Sequence, residues 1–221
     1  MLVFDSVIFK YTHSPILRGI YLSIPGGSIV GLFGHNGSGK STLIKIGAGY
    51  LIQDDGNIFI DEKVISGSMS VKRYNNIAYL SQDSFLPKDL TVGKFIHLSN
   101  TDRTHFENDS LIDKIMNQKI RTLSGGELRY LEILFLFSLN RDYYLLDEPF
   151  TGIEPIIIER ITEKILRQKS KGKGIIITDQ YYRYLIDIID HCYLLKDGYV
   201  KELNAAENFR DQLVKTGYLP N

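Results

Sequence analysis

The sequence predicts an α/β protein: a parallel sheet flanked by helices, carrying a largely helical lobe. Three observations predict it. Strand-like and helical runs alternate through the last third of the chain, the pattern of crossover connections between parallel strands. The first half is rich in strand-like runs. Between residues 84 and 139 the pattern turns helical, so this stretch reads as a lobe borne by the α/β core. A chain of 221 residues, 43% hydrophobic and 24% charged, can bury a sizeable core.

In chain order, runs of β-branched and aromatic residues predict strands at 2–9, 20–24, 29–33, 57–60, 77–80, 143–146, 175–178, 192–196 and 199–201. Helical patterning predicts helices at 40–49, 92–98, 110–117, 125–139, 156–169 and 181–189, with a last one after residue 204. No internal repeat, low-complexity linker or heptad run interrupts the series. The 26 Lys and Arg balance the 26 Asp and Glu, which argues against nucleic acid as a partner. Cys192 is the sole cysteine and no signal-peptide pattern opens the chain, so the expected setting is reducing and cytosolic. No apolar run approaches the roughly 18 residues needed to cross a bilayer. At a membrane, another chain would do the crossing.

The stretch "GLFGHNGSGKSTLIKI" holds Gly34, His35, Asn36, Gly37, Ser38, Gly39, Lys40 and Ser41 in the G-x-x-x-x-G-K-S spacing of a phosphate-binding loop, followed by Thr42. Glycines let successive backbone N–H groups turn inward on phosphate oxygens, and the next helix offers its positive end. Lys40 adds a point charge toward the β- and γ-phosphates, and the Ser41 hydroxyl can ligate Mg²⁺. The predicted strand at 29–33 leads in and an apolar-faced helix leads out, which is the context such a loop requires.

The stretch "YYLLDEPF" is an apolar strand ending in Asp147 and Glu148. Alone, such a pair reads as a solvated turn. Downstream of a phosphate loop, Asp147 reads as the holder of Mg²⁺ and Glu148 as the group that orients and deprotonates water. Strand alternation predicts that the two carboxylates diverge, and Pro149 biases Glu148 toward an extended backbone.

A second anion-friendly helix start follows from "RTLSGGELRYLEILFLF", where Ser124, Gly125, Gly126 and Glu127 open a strongly apolar helix. The plainer reading is an ordinary N-cap, with Glu127 complementing the helix dipole. If this end and the loop at Lys40 cannot reach one nucleotide within a chain, the second serves a neighbouring subunit. A symmetric head-to-tail dimer solves that geometry.

Taken in order, "GHNGSGKST", "LSGGE" and "YYLLDEP" resemble the ATP-binding cassette (ABC) ATPases over nearly the whole chain, from about residue 3 to 203. The resemblance implies a P-loop (RecA-like) core with an antiparallel β subdomain and an inserted helical subdomain. Residues 1–83 and 140–221 would form the nucleotide-binding core and 84–139 the helical subdomain. It implies ATP and Mg²⁺ as cofactors, with ATP sandwiched between two subunits, closure driven by ATP and opening by hydrolysis. Tyr11, in "FKYTHSP", resembles the aromatic that stacks on adenine; the plainer reading packs it on the core. Gln82, in "IAYLSQDS", resembles the glutamine that meets Mg²⁺ and passes the nucleotide state to the helical lobe.

The sequence departs from the family at two places. "IIITDQ" puts Gln180 where the family keeps a switch histidine near the γ-phosphate, with Asp179 just before it. His191 is no substitute, since it begins the following strand. An amide can donate a hydrogen bond to phosphate but cannot become cationic. Slowed hydrolysis with intact ATP binding is the expectation. "FTGIEP" puts Glu154 where the family usually has Asp in a loop crossing the dimer interface.

The expected partners are a second ABC ATPase subunit, an identical copy in the simplest case, and membrane permease subunits, with the chain on the inner face of the cell membrane. Phe85, Leu86 and Phe95 are candidate wall residues of a permease groove, with burial inside the lobe as the competing reading. The stretches "TGIEPIIIER" and "ITDQYYRYL" look most like ATPases of lipopolysaccharide export and branched-chain amino-acid import. Two other readings stand beside the transporter subunit: a cluster-assembly ATPase with soluble partners, and a low-turnover nucleotide-binding regulatory subunit.

Overall fold

A computed structural model describes residues 1–12, 14–65, 75–179 and 182–220 of the chain. Among these residues, four strands form one antiparallel sheet: β1 (Leu2–Lys10), β2 (Pro15–Ile24), β4 (Asp55–Ile60) and β5 (Lys63–Val64), in the order β2-β1-β4-β5. A six-stranded sheet carries β3 (Ile29–Phe33), β6 (Ile77–Leu80), β7 (Tyr143–Asp147), β8 (Gly174–Thr178), β9 (His191–Lys196) and β10 (Tyr199–Glu202). Its order is β10-β9-β3-β8-β7-β6, parallel from β9 to β6, with β10 antiparallel on the edge. The α-helices whose bounds lie among the described residues are α1 (Lys40–Ala48), α2 (Val92–Leu98), α3 (Ser110–Ile115), α4 (Gly125–Ser138), α5 (Pro155–Ser170), α6 (Tyr182–Leu185) and α7 (Phe209–Lys215).

The parallel strands are buried on both faces, and the two-residue alternation assigns each face to a different core. Val30, Leu32, Tyr143, Leu145, Ile176, Tyr193 and Leu195 pack with α1 and the antiparallel sheet. Ile29, Phe33, Tyr144, Leu146, Ile175, Ile177 and Leu194 pack with the helices of the other side. Continuous apolar runs such as "YYLL" and "IIIT" are therefore required rather than incidental. They hold the strand ends, and the polar residues at those ends, in one fixed frame.

The segment between β6 and β7 carries α2, α3 and α4. Asp109 knits it to the core. Its carboxylate caps α3 through the N–H groups of Leu111 and Ile112, accepts from the Tyr130 hydroxyl of α4, and pairs with Lys164 of α5 at 2.9 Å.

Most predicted elements agree within one or two residues. The exceptions have physical causes. β5 is only two residues long and below any patterning signal. β2 begins at Pro15, five residues before the predicted start, because β1 supplies a partner that far back, across register shifts. The helix predicted at 181–189 is a single described turn, Tyr182–Leu185. Asp190 overrides it: its N–H donates to Ile29 O at 2.8 Å and its carboxylate accepts Ile29 N–H at 2.8 Å, pulling the chain into β9. Of the three proposed groove residues, Leu86 and Phe95 are buried in the core, and Phe85 alone is exposed. No helix among the described residues is long and apolar enough to cross a membrane.

Candidate functional site

The phosphate-loop residues leave β3, whose five residues are all buried, and enter α1. Two glycines are sterically compelled. A Cβ on Gly34 would stand 2.5 Å from Leu195 O, and one on Gly39, at φ +106°, would stand 2.9 Å from Ile16 Cγ2. Gly39 is the N-cap of α1 and offers no side-chain cap bond, and the first turn holds no acid. The unpaired donors and positive end of α1 are thus left to an incoming anion.

Lys40 is buried, its Nζ donating to Gly34 O at 2.6 Å and His35 O at 3.2 Å. Burial lowers its pKa, opposed by Glu148, Asp147 and Asp179 in that order. Ser41 Oγ donates to Asp147 Oδ1 at 3.1 Å, and Gln82 Nε2 donates to Ser41 Oγ at 3.4 Å. Asp147 closes β7 and is 1% exposed. Its Oδ1 also accepts the Thr178 hydroxyl at 2.7 Å, while its buried Oδ2 has no hydrogen-bond partner among the described residues. Burial raises the Asp147 pKa, with the Thr178 and Ser41 hydroxyls pulling it back. A buried carboxylate oxygen without a donor, beside a hydroxyl and an amide, is a hard-oxygen set that suits Mg²⁺.

Glu148 corrects one expectation. Its φ is +51°, a left-handed residue rather than the extended one that Pro149 favours. The local preference yields because Glu148 N–H is held by both Thr178 O at 2.8 Å and Thr178 Oγ1 at 3.2 Å. Strand alternation therefore does not continue past Asp147. Asp179, fully buried, accepts Phe150 N–H at 2.8 Å and locks the same turn from the far side.

A cleft of about 510 Å³ brings together Lys40, Ser41, Gln82 and Glu148, with Asp147 buried behind Ser41. It is lined by Tyr11, Ile16, the loop residues Asn36, Gly37 and Gly39 to Thr42, Gln82 and Glu148. Tyr11 is 60% exposed, edge-on to Phe9 at 4.9 Å, with its hydroxyl 3.5 Å from Thr42 Oγ1. Its ring therefore presents a free face at the mouth of the cleft. Gln180 lies outside the described residues.

Ser124, Gly125, Gly126 and Glu127 do not line this cleft. They form a complete capping box: Ser124 Oγ accepts Glu127 N–H at 3.2 Å and Glu127 Oε2 accepts Ser124 N–H at 3.0 Å. Glu154 is the N-cap of α5 but its carboxylate makes no cap bond. Sequence reasoning missed Ile16 and Thr178. Ile16 carried no signal, because an apolar residue in a strand reads as core. Thr178 had one, a hydroxyl at the last position of a buried strand beside Asp179.

The family model described as "ABC transporter" matches residues 17–151. The lipopolysaccharide export system ATP-binding protein LptB of Haemophilus influenzae is 31% identical, with 99% of this chain and 97% of that protein covered. LptB of Escherichia coli strain K12 is 30% identical over 95% of this chain and 92% of its own length. Among solved structures, an ATP-binding cassette of an ABC transporter superposes with a TM-score of 0.83 at 22% identity, covering 99% of this chain and 96% of that one. A nucleotide-free cassette gives 0.82 at 22% identity, covering 97% and 95%. The likeness to these structures is one of fold.

Proposed function

Because the chain belongs to the ABC transporter family, as an ATP-binding ATPase subunit, we propose that it powers a membrane permease through a head-to-tail dimer with Mg·ATP at the interface. The observation that carries this reading is the convergence of an uncapped helix start, Lys40, Ser41, Gln82 and Glu148 on one cleft, with Asp147 buried behind Ser41 and bonded to it.

In this reading Tyr11 stacks on adenine and the backbone N–H groups of residues 36–42 receive the phosphates. Lys40 leaves the Gly34 and His35 carbonyls for the β- and γ-phosphates, a move that relieves its desolvation. Ser41, Gln82 and Asp147 hold Mg²⁺, which when bound supplies charge neutralisation to the phosphates. Glu148 orients water and takes its proton, a role worth about 10²–10⁴-fold in rate. Ser124 to Glu127 meet the partner's nucleotide, and Gly125 supports this: a Cβ there would meet nothing within 4 Å, so the fold itself does not require glycine. Gln180 donates to the γ-phosphate without the cationic option of histidine, which slows hydrolysis.

Residues 84–139 act as the helical subdomain between nucleotide and permease, and the rest as the nucleotide-binding core. A groove of about 340 Å³ lined by Tyr50, Tyr79, Phe85 and Leu136 is the docking site for the permease at the inner membrane face. The lipopolysaccharide-export relatives favour a transporter subunit over a cluster-assembly ATPase.

The test is steady-state ATP turnover against protein concentration, with Glu148→Gln as background. Turnover that exceeds background and rises faster than linearly is expected. ATP bound without turnover at any concentration would favour the low-turnover regulatory reading, and Gln180→His would then report whether the amide is the cause.

A further inference from the structure

The last described residues fold back beneath the phosphate loop. α7 is capped by Asn208, whose side chain accepts Asp211 N–H at 3.2 Å. Past its end, Gly217 at φ +73° reverses the chain, and the N–H groups of Tyr218 and Leu219 both donate to Leu213 O, at 3.0 and 3.2 Å. Leu213 and Leu219 are buried in the larger core, so the turn is anchored on both sides of Tyr218.

The anchored ring stands against the start of the loop. Its centroid lies 5.2 Å from that of His35, tilted by 49°, and 5.9 Å from that of Phe33, edge-on. Its hydroxyl lies by the Gly34 backbone and within the field of Asp179. One side chain thus touches the last residue of β3 and the first two of the loop, while the carbonyls of those same two residues hold Lys40 on the other side. Glycine-rich backbone has little side-chain packing of its own. A loop whose N–H groups must converge on phosphate before the ligand arrives needs a rigid neighbour.

The geometry assigns Tyr218 the role of a positioning residue for the phosphate loop: the C-terminal turn, through this ring on His35 and Phe33, holds the phosphate-binding backbone ready. The assignment rests on the nucleotide reading of the cleft.

The experiment measures ATP affinity, KM, kcat and nucleotide-free melting for the full chain and for Tyr218→Leu, Tyr218→Phe, His35→Ala and the double variant Tyr218→Leu/His35→Ala. Tyr218→Leu keeps apolar volume but loses the ring contact; its ATP Kd and KM are expected to rise about 3- to 10-fold, with kcat little changed. Tyr218→Phe should restore wild-type affinity. His35→Ala reaches the contact from an exposed position and stands in if Tyr218→Leu does not fold. The double variant should be no weaker than the worse single one, since both remove one interaction. Wild-type affinity in Tyr218→Leu, whatever its melting temperature, would overturn the assignment, as would a fall in kcat at unchanged KM or full additivity. Failure of the wild-type chain to bind ATP would instead overturn the nucleotide reading, and this assignment with it.

Discussion

Two helices of this chain begin on glycine-rich turns, and they treat their amino termini in opposite ways. α1 starts at Gly39 with no side-chain cap and no acid in its first turn. α4 starts at Ser124 with a closed capping box, and Glu127 supplies the acid. The Ser124 backbone N–H, more than any other partner, holds the Glu127 carboxyl below the usual carboxylate range, so α4 carries its own anion. An isolated helix gains from such a cap, and α1 forgoes that gain. Burial of seven of its nine residues compensates. The lesson is that a helix start without a cap must be stabilised from its flank, whereas one with a closed capping box is stabilised at its tip.

Substitutions can break or sharpen this contrast. The largest effect is expected at the reserved end. Lys40→Ala should cut phosphate release by about 10²–10³-fold, as loss of a charged transition-state donor does. It should leave nucleotide-free melting no lower, because the lysine is desolvated where it stands. Equal loss of folding stability would break the contrast. Next comes Gly126 of α4. A Cβ on Gly126 would stand 2.8 Å from Ile157 Cδ1, the movable tip of a side chain, so Gly126→Ala should cost no more than about 1 kcal/mol in urea titration, the helix gain of Ala offsetting the contact.

At the self-capped end, Ser124→Ala should cost about 1 kcal/mol, lowering melting by about 2–4 °C in a chain of this size. Asp147 sharpens the same point through pH. Its folded pKa is raised above the ordinary 3.8, mainly by burial. Between those two values the native state binds the extra proton, so stability of the nucleotide-free chain falls as pH rises through that window. Asp147→Asn should remove this fall and raise melting at neutral pH, an outcome calorimetry across the range would check. The smallest effect belongs to Gly125→Ala, with open space at its Cβ: a change in stability within about 0.5 kcal/mol. A fall in turnover at unchanged stability would then mark Gly125 as a contact for a partner's nucleotide.

Much of this was legible in residue order. The strands at 29–33 and 77–80 and the helix at 92–98 have the bounds that patterning predicts. The loop at Gly34–Ser41 is local chemistry, written in consecutive glycines, a lysine and a serine. What failed were local preferences overruled from afar. Pro149 predicts an extended Glu148, and two bonds from Thr178 make it left-handed. The helical pattern beyond Leu185 is cut short by Asp190 gripping β3.

By itself the sequence determined two local motifs, the glycine-rich loop at Gly34–Ser41 and the carboxylate pair at Asp147–Glu148, because each signal lies within a few consecutive residues. Only the tertiary structure decided how they are held. The parallel register sets Asp147 opposite Thr178, and tertiary packing brings Ser41 onto Asp147 Oδ1 and Tyr218 against His35. Such contacts join residues more than thirty or a hundred positions apart. No periodicity records them, since they depend on which strands become neighbours in the sheet.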